Sequence, residues 1–115
     1  MDRKNIEHRT VKEGKAVEAT PGVRRTTLCY DAQAMMCHFN FQKGAKIALH
    51  NHLAVQAGYV IRGSIRFLKK DGSSFVAGPG TGYIFDSEEH HGAEALEETE
   101  LVECFAPMRP EYADA

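Results

Sequence analysis

Between positions 35 and 42 the chain alternates. Met35, Cys37, Phe39 and Phe41 share one parity, and Met36, His38, Asn40 and Gln42 share the other. That period of two is what a strand buried on one face requires, and a helix cannot gather the apolar set on one side. The rest of the chain is punctuated against helices as well. Thr20-Pro21-Gly22 and Lys43-Gly44 read as turns, Lys69-Lys70-Asp71-Gly72 as a hairpin turn, and Gly78-Pro79-Gly80-Thr81-Gly82 as a loop no helix tolerates. The nearest helical candidate, residues 12–19, is short and contains Gly14. Strands are expected over residues 24–30, 35–42, 46–49, 59–68, 74–77, 83–85 and 100–105. The 59–68 stretch reads as a strand pair about Gly63, with Tyr59, Ile61, Ile65 and Phe67 on one parity. Many short strands with frequent turns indicate an all-β sandwich or barrel.

A chain of 115 residues supports one domain with one core. The expected organisation is an extension over 1–20, a barrel over 21–110 and a tail over 111–115. A formal net charge of −2 offers nothing to a polyanion, so nucleic acid is not an expected partner. No apolar run approaches the roughly 20 residues a membrane span needs. The start, Met1-Asp2-Arg3-Lys4-Asn5, lacks the apolar stretch of a signal peptide, and a cytoplasmic location is expected. Cys29, Cys37 and Cys104 show no C-x-x-C spacing, which argues against a disulfide framework or zinc ribbon. Each lies in a strand-like stretch and is expected to be a small buried apolar residue.

The histidines carry the chemistry. His50 and His52, at i and i+2, would share one face of a strand, and Gln56 follows with an amide oxygen. His90-His91 arrives after the glycine-rich loop. His8 and His38 stand alone and read as surface or satisfied core residues. Imidazole nitrogens suit zinc, nickel, iron or copper, and a neutral amide oxygen is a harder, weaker ligand. Three histidines and one amide leave a +2 ion unneutralised, hence a strong Lewis acid with positions open to substrate.

Gly44-x5-His50-x-His52-x3-Gln56-x6-Gly63 resembles the first motif of the cupin superfamily, with Gln56 where most members carry glutamate. Gly78-Pro79-Gly80 through His91-Gly92 resembles the second motif, with Thr81 in place of the common aspartate and Phe85-Asp86 in place of Ile-Pro. The resemblance covers about residues 20–110. It implies a double-stranded β-helix (jelly-roll) barrel and a homodimer. The apolar strand surface that a small barrel leaves uncovered favours a dimer too, with residues 1–25 expected to cross between subunits. It also implies one divalent transition metal (Zn, Ni, Mn or Fe) held by His50, His52, Gln56 and a later histidine. The run from His91-Gly92-Ala93 favours His91 over His90 in that place.

One subgroup is more similar still: small bacterial cupins that open unsaturated uronates released in pectin and alginate breakdown. Their closing strand resembles Glu103-Cys104-Phe105-Ala106-Pro107-Met108-Arg109, with aspartate where this chain has Glu103. The resemblance implies a small carboxylated substrate, Glu103 as proton carrier, Phe105 against the sugar face and Arg109 as carboxylate clamp. Strand parity alone leaves Glu103 open: if Val102 and Cys104 faced the core, Glu103 would be exposed. Arg109 would equally serve as a surface residue of the tail. An iron-dependent dioxygenase and a non-catalytic small-molecule-binding module are the competing functions.

Overall fold

The structure is a computed structural model that describes residues 5–114. Strands β1 (Ala16–Thr20), β2 (Val23–Tyr30), β3 (Met35–Phe41), β4 (Lys46–His50) and β5 (Val55–Arg62) are followed by β6 (Ile65–Lys69), β7 (Ser74–Ala77), β8 (Gly82–Phe85), β9 (His91–Ala95) and β10 (Thr99–Ala106). A single 3-10 turn, Pro110–Tyr112, is the only helical element among the described residues. Among the described residues no helix is long and apolar enough to cross a membrane.

All strand pairs are antiparallel. They form a six-stranded sheet, β1-β2-β3-β10-β5-β8, and a four-stranded sheet, β4-β9-β6-β7. The two sheets enclose the core as a double-stranded β-helix barrel. The alternation of β3 does what its period requires: Met35, Cys37, Phe39 and Phe41 are buried, while Met36 is 37% exposed. Phe67, Phe85, Leu101 and Phe105 join them. Each such side chain contributes about 1.5–3 kcal/mol on leaving water, so these inward rows hold the sheets together.

The 59–68 stretch differs from its sequence reading. β5 and β6 do not pair with each other but lie in different sheets. Tyr59 and Ile61 are 49% and 43% exposed, whereas Ile65 and Phe67 are buried. The reason is the corner at Gly63, where φ is +96°. A Cβ there would strike the Glu98 carbonyl oxygen and stand 2.6 Å from Thr99 Cα. The bend carries the chain from one sheet to the other and reverses which parity faces inward. By contrast, the Asp71-Gly72 hairpin joins β6 to β7, with Gly72 at φ +88° and Asp71 Oδ1 accepting from the Ser73 amide.

Only Cys37 is a fully buried cysteine. Cys29 is half-buried and Cys104 exposed. Cys104 sits between inward-facing Glu103 and Phe105 on β10, so its parity points outward, and Cys29 follows a register shift between Thr27 and Cys29. Residues 5–25 pack on their own chain. Ile6 bridges Tyr30, β1 pairs with β2, and the Arg9 guanidinium donates to the Thr27 carbonyl. His38 is buried, with Nε2 2.6 Å from Glu100 Oε2, and His8 is exposed, as their isolation in the sequence suggests.

Candidate metal centre

Three elements deliver the histidines. His50 ends β4, His91 begins β9, and these two residues face each other across the pair. His52 does not continue the strand. It lies in the turn before β5, so the two imidazoles of His50-Asn51-His52 converge through a bend and not through strand alternation. The register of β4 shifts between Ile47 and His50, which releases the chain from the ladder there. The opposite loop locks this turn: the Glu88 amide, from a backbone at φ +64°, donates to the His52 carbonyl at 2.7 Å. His91 stacks on Phe85, with centroids 4.5 Å apart and rings within 5° of parallel.

The ligand nitrogens of His50, His52 and His91 lie within 4.8 Å of one another. His90 is outside this group. Gln56, on β5 opposite Phe85 and Phe105, brings its amide oxygen to 2.9 Å from His52 Nε2 and 3.1 Å from His91 Nε2.

The proton inventory decides what the cluster can hold. His50 Nδ1 is 2.9 Å from the Ala48 carbonyl, His52 Nδ1 is 2.8 Å from that of Ala54, and His91 Nδ1 is 2.9 Å from that of Glu89. A carbonyl only accepts, so each Nδ1 must carry the hydrogen. Burial, the leading cause, lowers the pKa of His52 and takes His91 down to about 4, so near neutral pH each of these rings has one proton. Their Nε2 atoms are therefore bare lone pairs, and they converge on a Gln56 oxygen that also only accepts. Acceptors meeting without a donor repel one another unless a cation lies among them. The donor set fits a divalent transition metal: neutral imidazoles, each oriented through Nδ1 by a backbone carbonyl, with an oxygen beside them.

The other face of Gln56 leads to the candidate acid. Gln56 Nε2 donates to Glu103 Oε2 at 2.7 Å, and the Tyr83 hydroxyl donates to the same oxygen at 2.6 Å. Glu103 is 6% exposed and inward-facing, which resolves the parity of β10. Burial pushes its pKa up to about 7, and the two donors oppose that rise. A carboxyl titrating there exchanges protons readily at neutral pH. Phe105 is 1% exposed and edge-on to His52, with centroids 5.9 Å apart. Arg109 lies with its guanidinium carbon 5.3 Å from the Phe105 centroid. His50, Gln56, His91, Glu103, Phe105 and Arg109 all border one cavity of about 60 Å³.

Three neighbours were given no role in the sequence reading. Tyr83 shares the inward parity of Phe85, a signal that was available. Arg25, which pairs with buried Phe39, was available by the same parity. Tyr112 reaches the cavity from the tail, where no periodicity announces it.

Known proteins resemble this chain over most of its length. The chain is 30% identical over 97 residues to the pectin degradation protein KdgF of Dickeya dadantii, covering 83% of this chain and 87% of that protein. Among solved structures, an RmlC-like cupin from Shewanella frigidimarina superposes with a TM-score of 0.88 at 23% identity, covering 98% of this chain and all (100%) of the other. KdgF from Halomonas sp. superposes with a TM-score of 0.81 at 26% identity, covering 89% of this chain and 94% of that one. The cupin domain family matches residues 37–105, and the chain belongs to that family.

Proposed function

We propose that the protein is a metal-dependent enzyme that opens the ring of 4,5-unsaturated monouronates. The observation that carries this reading is the double role of Gln56. Its oxygen meets the histidine lone pairs and its nitrogen holds Glu103, so a metal position and a proton carrier share one amide. Similarity to the two KdgF proteins supports the substrate class, and Arg109 supplies a guanidinium suited to a planar carboxylate.

His50, His52, His91 and Gln56 would hold one divalent transition metal, which when bound supplies Lewis-acid polarisation of substrate oxygens. Arg109 binds the substrate carboxylate. Phe105 forms an apolar wall for the sugar face. Glu103 takes the proton of the hemiacetal hydroxyl as the C1–O5 bond breaks, and the C5 oxygen keeps the electron pair as an enolate. The same carboxyl returns the proton to C4, giving a linear dicarbonyl sugar acid of unchanged composition. Burial of Glu103 keeps that proton from bulk water.

The test is the ultraviolet absorbance of the enol ether. It disappears when metal-loaded protein meets an unsaturated galacturonate, and Glu103→Gln abolishes the change while leaving metal content intact. Unchanged absorbance with the loaded protein would sink the reaction. Iron-dependent oxygen consumption in its place would select the dioxygenase reading. The proposal includes a cytoplasmic homodimer. Met36, Tyr59, Ile61 and Ile84, exposed on the outer face of the six-stranded sheet, are candidates for its contact, and sedimentation of the full chain tests it.

A further inference from the structure

Tyr112 sits where no strand places it. Beyond β10 the chain turns back as the 3-10 turn, and the Tyr112 ring comes to rest edge-on to Phe105, with centroids 5.4 Å apart, at the wall of the cavity. Two guanidiniums lie over this one ring. Arg25, from β2, is 3.9 Å from its centroid and Arg109 is 4.2 Å from it. The Arg109 Nη1 also donates to the phenol oxygen at 2.9 Å.

Neither guanidinium forms a buried ion pair among the described residues, although the buried Glu103 lies close enough to Arg109 to feel its charge. Arg109 Nη2 reaches Glu111 at 3.3 Å, but that carboxylate is 60% exposed. Arg109 Nε is buried with no partner at all. The Arg25 side chain makes no hydrogen bond or ion pair among the described residues, its one close polar partner being the Tyr112 ring. Two like charges gathered on one aromatic ring repel, and the ring quadrupole answers them weakly. A carboxylate answers both: it is planar, anionic, and has lone pairs enough for two guanidiniums.

At about 60 Å³ the cavity has room for a couple of water molecules and not for a sugar. Something bordering it must move before a uronate enters. The strands cannot move without losing ladder bonds. The tail is tied by fewer contacts: Thr27 Oγ1 donates to the Tyr112 carbonyl at 2.6 Å, and Arg9 pairs with Asp114 at 2.7 Å.

We propose that Arg25 and Arg109 form one slot for a sugar carboxylate, which Tyr112 fills in the ligand-free protein and vacates when substrate binds. The proposal rests on the anionic-sugar reading above and adds Arg25 as a second recognition residue with Tyr112 as its competitor. It requires no step other than non-covalent exchange of a phenol ring for a carboxylate.

The experiment is calorimetric titration of metal-loaded protein with D-galacturonate and, as neutral control, D-galactose. Galacturonate binds and galactose does not. Arg25→Gln weakens galacturonate binding roughly ten- to hundredfold, the scale of a lost charge-assisted bond, and Arg25→Lys recovers part of it. Tyr112→Ala tightens binding by about two- to tenfold, because the competitor is gone. Hydrogen exchange of residues 110–114 rises when galacturonate is added to the parent. A merely structural stack predicts the reverse for Tyr112→Ala and no change in exchange. The slot is overturned by galacturonate failing to bind the parent, by galactose binding equally, or by Arg25→Gln binding as the parent does. Thermal unfolding of each variant confirms that it is folded at the titration temperature. Galacturonate is saturated, so its binding is independent of turnover. Intact binding without loss of enol-ether absorbance overturns the reaction and leaves the slot standing.

Discussion

Gly58 is the position where one methyl group would travel furthest through the site. It pairs with Tyr83 across β5 and β8, and a Cβ built there would run into Tyr83 Cζ and the hydroxyl and stand 2.7 Å from Cε2. The ring has little room to retreat, since its centroid is 4.4 Å from that of Phe67 and 5.8 Å from that of Phe85. Gly58→Ala therefore pushes the Tyr83 hydroxyl off Glu103 Oε2. Overpacking costs about 1–3 kcal/mol, and a buried hydrogen bond to a carboxyl about 1.5–3 kcal/mol, partly the same loss counted twice. The expected destabilisation is about 3 kcal/mol, roughly 10 °C in melting temperature for a chain of this size. Urea unfolding of the metal-free protein measures it. Tyr83→Phe removes only the hydroxyl and costs about 1–2 kcal/mol. In a Tyr83→Leu background, Gly58→Ala should cost under about 1 kcal/mol, because the colliding atoms are absent. A parent-like midpoint for Gly58→Ala, or an equal cost in both backgrounds, would refute the packing described.

Other consequences are as direct. Gln56→Ala removes both the oxygen beside the imidazoles and the donor to Glu103, so metal affinity in competition with a chelator falls roughly tenfold or more, whereas unchanged affinity would show that the amide is no ligand. Arg9 holds the Asp114 carboxyl below its usual range by a side-chain hydrogen bond. A depressed carboxylate pKa stabilises the fold above the unfolded value and loses that contribution as pH falls through the folded one. The gap in melting temperature between parent and Arg9→Gln therefore narrows on acidification, and a gap independent of pH would deny the ion pair a role.

Much of this architecture was legible because it depends on parity and punctuation. The alternation of β3 and the Asp71-Gly72 turn survive in the structure because one-sided burial and positive φ leave few alternatives. The β5–β6 stretch misled because parity carries through a sequence, but not through a corner that changes sheets at Gly63. The histidines were legible as a cluster. The means of their convergence was not, since a turn at His52 is set by its Nδ1 donating to the Ala54 carbonyl and its own carbonyl accepting from the Glu88 amide, which no local pattern encodes. Cys104 and Glu103 show the same limit from the other side: their identities suggest one burial order and the register of β10 imposes the opposite. Tyr112 depends on where a tail returns, which is tertiary information alone.

The most direct test is metal stoichiometry of the purified, reconstituted protein by elemental analysis, compared among the parent, His91→Ala and His90→Ala. Convergence of His50, His52 and His91 predicts about one equivalent of a divalent transition metal in the parent and in His90→Ala, and loss of it in His91→Ala. Full metal content in His91→Ala, or none in a folded parent, would contradict it.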